Sequence, residues 1–174
     1  KEKFKQALIS TAKVISDDYK VATKNSDKNL SSKNTNFFEI DNLSNRSDFI
    51  RLRAQTDSHA VKKKFSNKEI FNKNLPNNVR YKSLYNIAEK IRCELLGGKM
   101  LKGIKKNLNE DYYQKINLKR KDQLIKKDDV SVTEAFELYM LKKFFNIKLN
   151  SLTTKMLNFW EKDFDFSIND HIDF

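Results

Sequence analysis

The chain has 174 residues, 39% of them hydrophobic with thirteen Phe and six Tyr, and it carries a formal net charge of +12. That length suits one domain, or one domain with an extended tail, and a chain of this size buries roughly 70% of its unfolded surface, so its core needs neither metal nor disulfide. The single cysteine, Cys93, excludes an intrachain disulfide and a thiolate metal cluster, and no apolar run approaches the ~20 residues of a membrane span.

A lone thiol fits a reducing cytoplasm, where the protein is expected to reside. The positive charge invites a nucleic-acid reading. However, Lys greatly outnumbers Arg and Asn is abundant, as AT-rich coding produces. Scarce Arg leaves few bidentate grips on guanine or phosphate, so nucleic acid is a disfavoured partner, and a basic helical nucleic-acid-binding module stands as the alternative class.

In residues 2–15, Phe4, Leu8, Ala12 and Ile15 recur at helical spacing and predict a first helix. From Asp17 to Ser47 the chain is rich in Asn, Ser and Asp, interrupted by Tyr19–Thr23 and Asn36–Ile40, two runs that could pair as a small β ribbon within 19–43. A second helix is expected from about Arg46 to Phe65, with Phe49, Leu52, Arg53, Thr56, Ala60 and Lys64 along one side. Ser66-Asn-Lys-Glu69 has the form of a capping box and predicts a short helix that Pro76 ends. Asn77 or Asn78 caps the next helix, whose apolar stripe is Leu84, Ile87, Ala88, Ile91 and Leu95.

All three glycines of the chain fall together, Gly97, Gly98 and Gly103. Gly97 is expected to close the helix in the left-handed conformation. Leu101, Ile104, Leu108 and Tyr112 then predict another helix, with Lys99, Lys102 and Lys106 opposite. The two helices read as a helical hairpin with a tight corner at Gly97-Gly98, Gly103 allowing close backbone approach. After a charged linker, Ser131-Val-Thr-Glu134 reads as a capping box opening a helix through Phe145, with Ala135, Leu138, Leu141 and Phe145 inward. Asn150 or Ser151 caps a last helix bearing Leu152, Met156, Phe159 and Trp160. The expectation is a mainly α domain of about six helices over 1–162. Residues 163–174 read as the start of a polar, acidic linker to a C-terminal domain absent from this chain, and the whole as a fragment of a longer protein.

Gly98-x-x-x-x-Gly103 fails as a phosphate-binding P-loop, because Ile104 and Lys105 stand where Lys and Ser or Thr are required. His59 and His171 are far apart in sequence and show no metal-ligand spacing, so no metal site and no catalytic residue is expected. Cys93, one position off the apolar stripe and without a His to activate it, reads as a buried or half-buried thiol. Glu89-x-x-Arg92-x-Glu94 and the Arg53/Asp57 spacing of i,i+4 are candidates for buried ion pairs or for an interface. The alternative for both is a solvated salt bridge. Lys62–Lys64 and Lys119–Lys121 read as solvated charge.

With Glu89, Arg92, Glu94, Gly97, Gly103, Asn107 and Leu108 in place, the chain resembles the N-terminal part of the T subunit of aerobic cobaltochelatase (CobT). An earlier pattern of that family, Arg-Gly-x-Ala-Asp-x-x-Ala, is similar to Arg53-Ala-Gln-Thr-Asp57-Ser-His-Ala60, with Ala54 and Thr56 departing from it. A later acidic-Ala helix and a Trp-containing helix match Glu134-Ala135 and Trp160 loosely, without the family's Arg-Glu pair. The resemblance spans most of residues 4–163 and adds Asn107 to the interface or buried-pair candidates.

The resemblance implies a helical domain joined through an acidic linker to a von Willebrand A-type domain. It also implies partnership with an AAA+ ATPase subunit in an oligomeric ring assembly, which drives a large catalytic subunit to insert Co²⁺ into hydrogenobyrinic acid a,c-diamide. The complex uses ATP, Mg and cobalt. The domain itself is expected to be non-catalytic and to bind no cofactor, within an enzyme that is an ATP-dependent cobalt chelatase.

Overall fold

A computed structural model describes residues 2–18, 45–118 and 126–168. Eight α-helices and one 3₁₀ turn make up its elements, and no strand occurs among the described residues. The helices are α1 (Glu2–Ser16), α2 (Arg46–Phe65), α3 (Lys68–Lys73), α4 (Val79–Met100), α5 (Lys102–Leu118), α6 (Val132–Phe145), α7 (Ser151–Asn158) and α8 (Glu161–Ile168). The β ribbon expected within 19–43 lies outside the described residues. The mainly α class holds.

The caps explain most helix starts. Asn45 accepts from the backbone N–H of Asp48 while the Asp48 carboxylate accepts from that of Asn45, a reciprocal box that opens α2. Asn78 and Asn150, each one of two expected candidates, cap α4 and α7. Two expected boxes differ. Ser66 closes α2, and Asn67 caps α3 by accepting from Glu69 and Ile70, since its carbonyl side chain reaches both orphan N–H groups. Ser131 makes no cap bond, its hydroxyl pairing with that of Thr133.

The corner of the hairpin is also displaced. Gly97 and Gly98 lie inside α4, no glycine has positive φ, and the chain turns at Leu101, a single extended residue with φ −136°. The glycines serve packing instead. A Cβ built on Gly97 would overlap Cγ1 of Val61 and lie 3.0 Å from its Cβ, so hydrogen at this position is what lets α4 cross α2. A Cβ on Gly98 would meet Lys105 of α5 at 3.3 Å, whereas one on Gly103, the expected close approach, meets nothing within 4 Å.

The core is built from both halves of the chain. Ile91, Ile104, Leu108 and Ile116 from α4 and α5 join Ala135, Leu138, Leu141 and Phe145 of α6, the four residues expected to face inward. α6 also buries Phe136, Tyr139 and Met140, so it is covered nearly all round by α4, α7 and α8. A left-handed Asn146 (φ 54°) closes it. α1 packs on α2 through Leu8, Leu52 and the edge-to-face pair Phe4–Phe49, with ring centroids 4.9 Å apart.

The helical body continues past the expected boundary at 162. In α8, Phe164 is buried against Phe136 and Tyr139 at 5.4 Å each, and the Tyr139 hydroxyl donates to Asp165 at 2.7 Å. The acidic and aromatic alternation of this segment is thus the amphipathicity of a packed helix, at least as far as residue 168.

These contacts predict opposite outcomes for two glycines. Gly97→Ala forces a methyl into the stiff, fully buried Val61 and is expected to cost about 1–3 kcal/mol. Gly103→Ala, in open space at helical dihedrals, is expected to stabilise by about 0.4–1 kcal/mol. Urea unfolding followed by circular dichroism reads both.

Candidate functional site

Three helices converge on the carboxylate of Glu94, which is 1% exposed. Ser58 of α2 donates its hydroxyl to Oε1 at 2.5 Å, and Tyr112 of α5 donates its phenol to Oε2 at 2.5 Å. Each oxygen therefore has a partner from a different helix, which is what permits a carboxylate at this depth. Lys90, one turn earlier on α4, pairs with Glu137 of α6 at 3.1 Å and places its ammonium 5.2 Å from the Tyr112 ring centroid. Lys115 pairs with Asp111 at 2.5 Å and approaches the same ring at 5.4 Å.

The charges act on each other. Burial raises the pKa of Glu94, and the Lys90 charge and its two hydrogen bonds only partly offset this. Burial and the neighbouring Glu94 likewise push the Tyr112 phenol up. Burial alone would lower the pKa of Lys90, yet the charges of Glu94 and Glu137 outweigh it and the value is raised. A cleft of about 410 Å³ opens beside the network, bounded by α2, α4 and α5 with Glu137 of α6. His59 stands at its edge, its pKa lowered by partial burial and by Lys62 and Lys90.

Two further pairs flank this centre. Asp57 of α2, 3% exposed, accepts from the Asn107 amide of α5 at 2.8 Å. Its pKa is raised by burial, against that hydrogen bond and the charge of Arg53. Arg53 is not in ion-pair contact with it and lies 5.5 Å from the Phe4 ring centroid. On the other side of α4, Arg92 grips Glu89 with Nε (2.7 Å) and Nη2 (2.9 Å). Nη2 also donates to the Phe65 carbonyl at 3.0 Å, satisfying one of the last carbonyls of α2 from a neighbouring helix. The Arg92 hydrogen bonds hold Glu89 below its ordinary carboxylate value. Beside them Cys93 is fully buried, and burial with the Glu89 charge pushes its thiol up to about 11.

The single constellation Glu89-x-x-Arg92-x-Glu94 is therefore two. At 100° per residue, Glu89 and Glu94 sit about 140° apart around α4, one toward the end of α2 and one toward the α2–α5 interior. Glu94, Asp57 and Asn107 are buried or half-buried bridges, while Arg92 is half exposed and Arg53 exposed. Sequence reasoning missed Ser58, Lys90 and Glu137, and it took Tyr112 for a plain apolar position. The available signal was the phenol itself, since a buried tyrosine hydroxyl requires a partner.

Chemically this is an architectural arrangement. Glu94, Asp57 and Glu89 are each engaged by donors from within the fold, and none is aimed at open solvent as a free base. Among the described residues no group of three or more His, Cys, Asp or Glu side chains could hold a metal. Gly98 and Gly103 lie in consecutive helices, leaving no phosphate-cradling loop. No helix among the described residues is long and apolar enough to cross a membrane.

The fold and its interior define a mainly helical domain whose polar residues tie helices together. The model of one family, cobalamin biosynthesis protein CobT, matches residues 1–173, and the chain belongs to that family. It thereby has a role in cobalamin biosynthesis, in connection with cobaltochelatase. No curated protein and no solved structure matches the chain.

Glu94 makes stability depend on pH in a stated direction. With its native pKa above the ordinary 4.5, its contribution is complete below that value and is lost as pH rises through the native one. The stability of the wild type relative to Glu94→Gln should therefore fall as pH rises above about 4.5. A difference constant with pH would refute the assignment. Glu94→Ala, which strands the buried Tyr112 hydroxyl and the half-buried Ser58 one, should cost on the order of 3 kcal/mol.

Cys93 supplies an independent check. Ellman's reagent at neutral pH should label the native protein only at the rate of unfolding, and rapid labelling would contradict the burial of this thiol.

Proposed function

We propose that this chain is a non-catalytic coupling domain of an aerobic cobaltochelatase. It assembles with the AAA+ ATPase subunit and the large catalytic subunit in the cytoplasm. Within an oligomeric ring it passes ATP-driven movement to the subunit that inserts cobalt, the substrate ion, into hydrogenobyrinic acid a,c-diamide. ATP and Mg belong to the ATPase partner, and chelation chemistry to the large subunit.

One observation carries this reading. Of the residues that bear the family resemblance, Asp57, Glu89, Arg92, Glu94, Gly97 and Asn107 are engaged in joining α2, α4 and α5, while Arg53 and Gly103 are not. A motif that goes into rigidity supports a body that transmits force and leaves its outer surface to partners. The net charge of +12 favours electrostatic steering of such partners.

Co-expression with the cognate ATPase and large subunits tests the proposal. A tag on this protein should retain both through purification. A partner complex that assembles and inserts cobalt unchanged after deletion of residues 1–168 would overturn it.

A further inference from the structure

A second depression lies on the opposite side of α4 from the Glu94 network. It encloses about 740 Å³ between the end of α2, α3, α4 and α6, and its lining is dominated by Phe65, Ile70, Phe71, Tyr85, Met140 and Phe144. α3 buries none of its own residues, although it carries Ile70 and Phe71. Ile70 is 59% exposed, and Phe71 stacks on Tyr85 at 5.0 Å. A six-residue helix without buried residues contributes little to its own stability, so burying its apolar side is gain left unrealised in the isolated chain.

The border of this groove is positive. Lys62 holds its ammonium 5.6 Å from the Phe71 ring centroid and has no carboxylate partner among the described residues. Lys68 and Lys73 stand at the two ends of α3, also without carboxylate partners there, and outnumber its one acid, Glu69. In the wall, Arg92 commits Nε and Nη2 to Glu89 and to the Phe65 carbonyl, while Nη1 makes no hydrogen bond among the described residues. The guanidinium is therefore fixed in direction and still able to donate. In the cleft beside Glu94, Lys90 and Lys115 are paired with acids, and Lys62, which also lines it, is the one of its three lysines without a carboxylate partner among the described residues.

We propose that this groove receives an amphipathic helix of a partner protein, with Leu-like side chains on one face and Asp or Glu along the flanks. The apolar face fills the space beside Ile70, Phe71 and Tyr85. One acidic side chain meets Nη1 of Arg92, and others meet Lys62, Lys68 and Lys73. This deepens the assembly reading above and rests on it, naming the surface and the chemistry of the segment it takes.

The test uses the full-length protein and two fluorescent synthetic helices of about four turns, sharing one leucine face and flanked by Glu in one and by Lys in the other. Anisotropy at ~0.05 M salt should show the Glu-flanked peptide bound at least about tenfold more tightly, with the gap narrowing at ~0.5 M. Ile70→Ser, at an exposed position and with an unchanged thermal melt, should weaken that peptide at least about fivefold. The double variant Lys68→Gln/Lys73→Gln should reduce the preference for Glu over Lys. Equal binding of both peptides, no binding of either, or binding indifferent to Ile70→Ser would overturn the proposal. Failure of the cognate subunits to co-purify, with peptide binding intact, would count against the chelatase assembly alone.

Discussion

A carboxylate at the meeting point of three helices sets the terms for the rest of this fold. Glu94 cannot remain at 1% exposure unless both oxygens are satisfied, and the donors come from α2 and α5. That requirement fixes the rotation of all three helices about their axes. It also explains the surrounding charge, because Lys90 offsets the buried acid and is held in turn by Glu137 of α6. Apolar packing could bring these helices together in several registers; the hydrogen bonds of Glu94 select one.

The crossing of α2 and α4 works with this constraint. At Gly97 the helices approach so closely that Val61 fills the space a side chain would take. Arg92 then reaches from α4 to the open end of α2, and Asn107 reaches from α5 to Asp57 of α2. α2 is thus held at three heights by α4 and α5. Bracing of this kind ties the three helices into one body, which is what the coupling role proposed above requires.

The polar interior and the outer surface consequently have different duties. Inside, the buried acids Glu94 and Asp57 are met by hydrogen-bond donors from other helices. Outside, α3 and the end of α2 present aromatic and aliphatic groups beside Lys62, Lys68 and Lys73, which have no carboxylate partner among the described residues. The groove proposed to take a partner helix lies where packing stopped, on the face of α4 that α3 only partly covers.

Much of this was legible in the residues. Helical spacing located α1, α2, α4, α5 and α6, and Asn78 and Asn150 marked two starts, because periodicity and capping are local properties of the chain. The motif residues Glu89, Arg92, Glu94, Asp57 and Asn107 were identifiable as a set, though not their partners. α8 was hidden in a segment whose acids resembled a linker, since Phe164 finds its packing partners, Phe136 and Tyr139, on another helix. The glycine cluster announced close approach but not where it happens. Whether Gly97 turns the chain or admits Val61 depends on a helix some 36 positions earlier in the chain, and no local pattern records that distance. Likewise the spacing of Glu89 and Glu94 decides that they face different ways, while their burial and pairing come from Ser58, Tyr112 and Phe65 on other helices. Local chemistry chose the helices; long-range packing chose which polar groups disappear from water, because desolvation is a property of the assembled body.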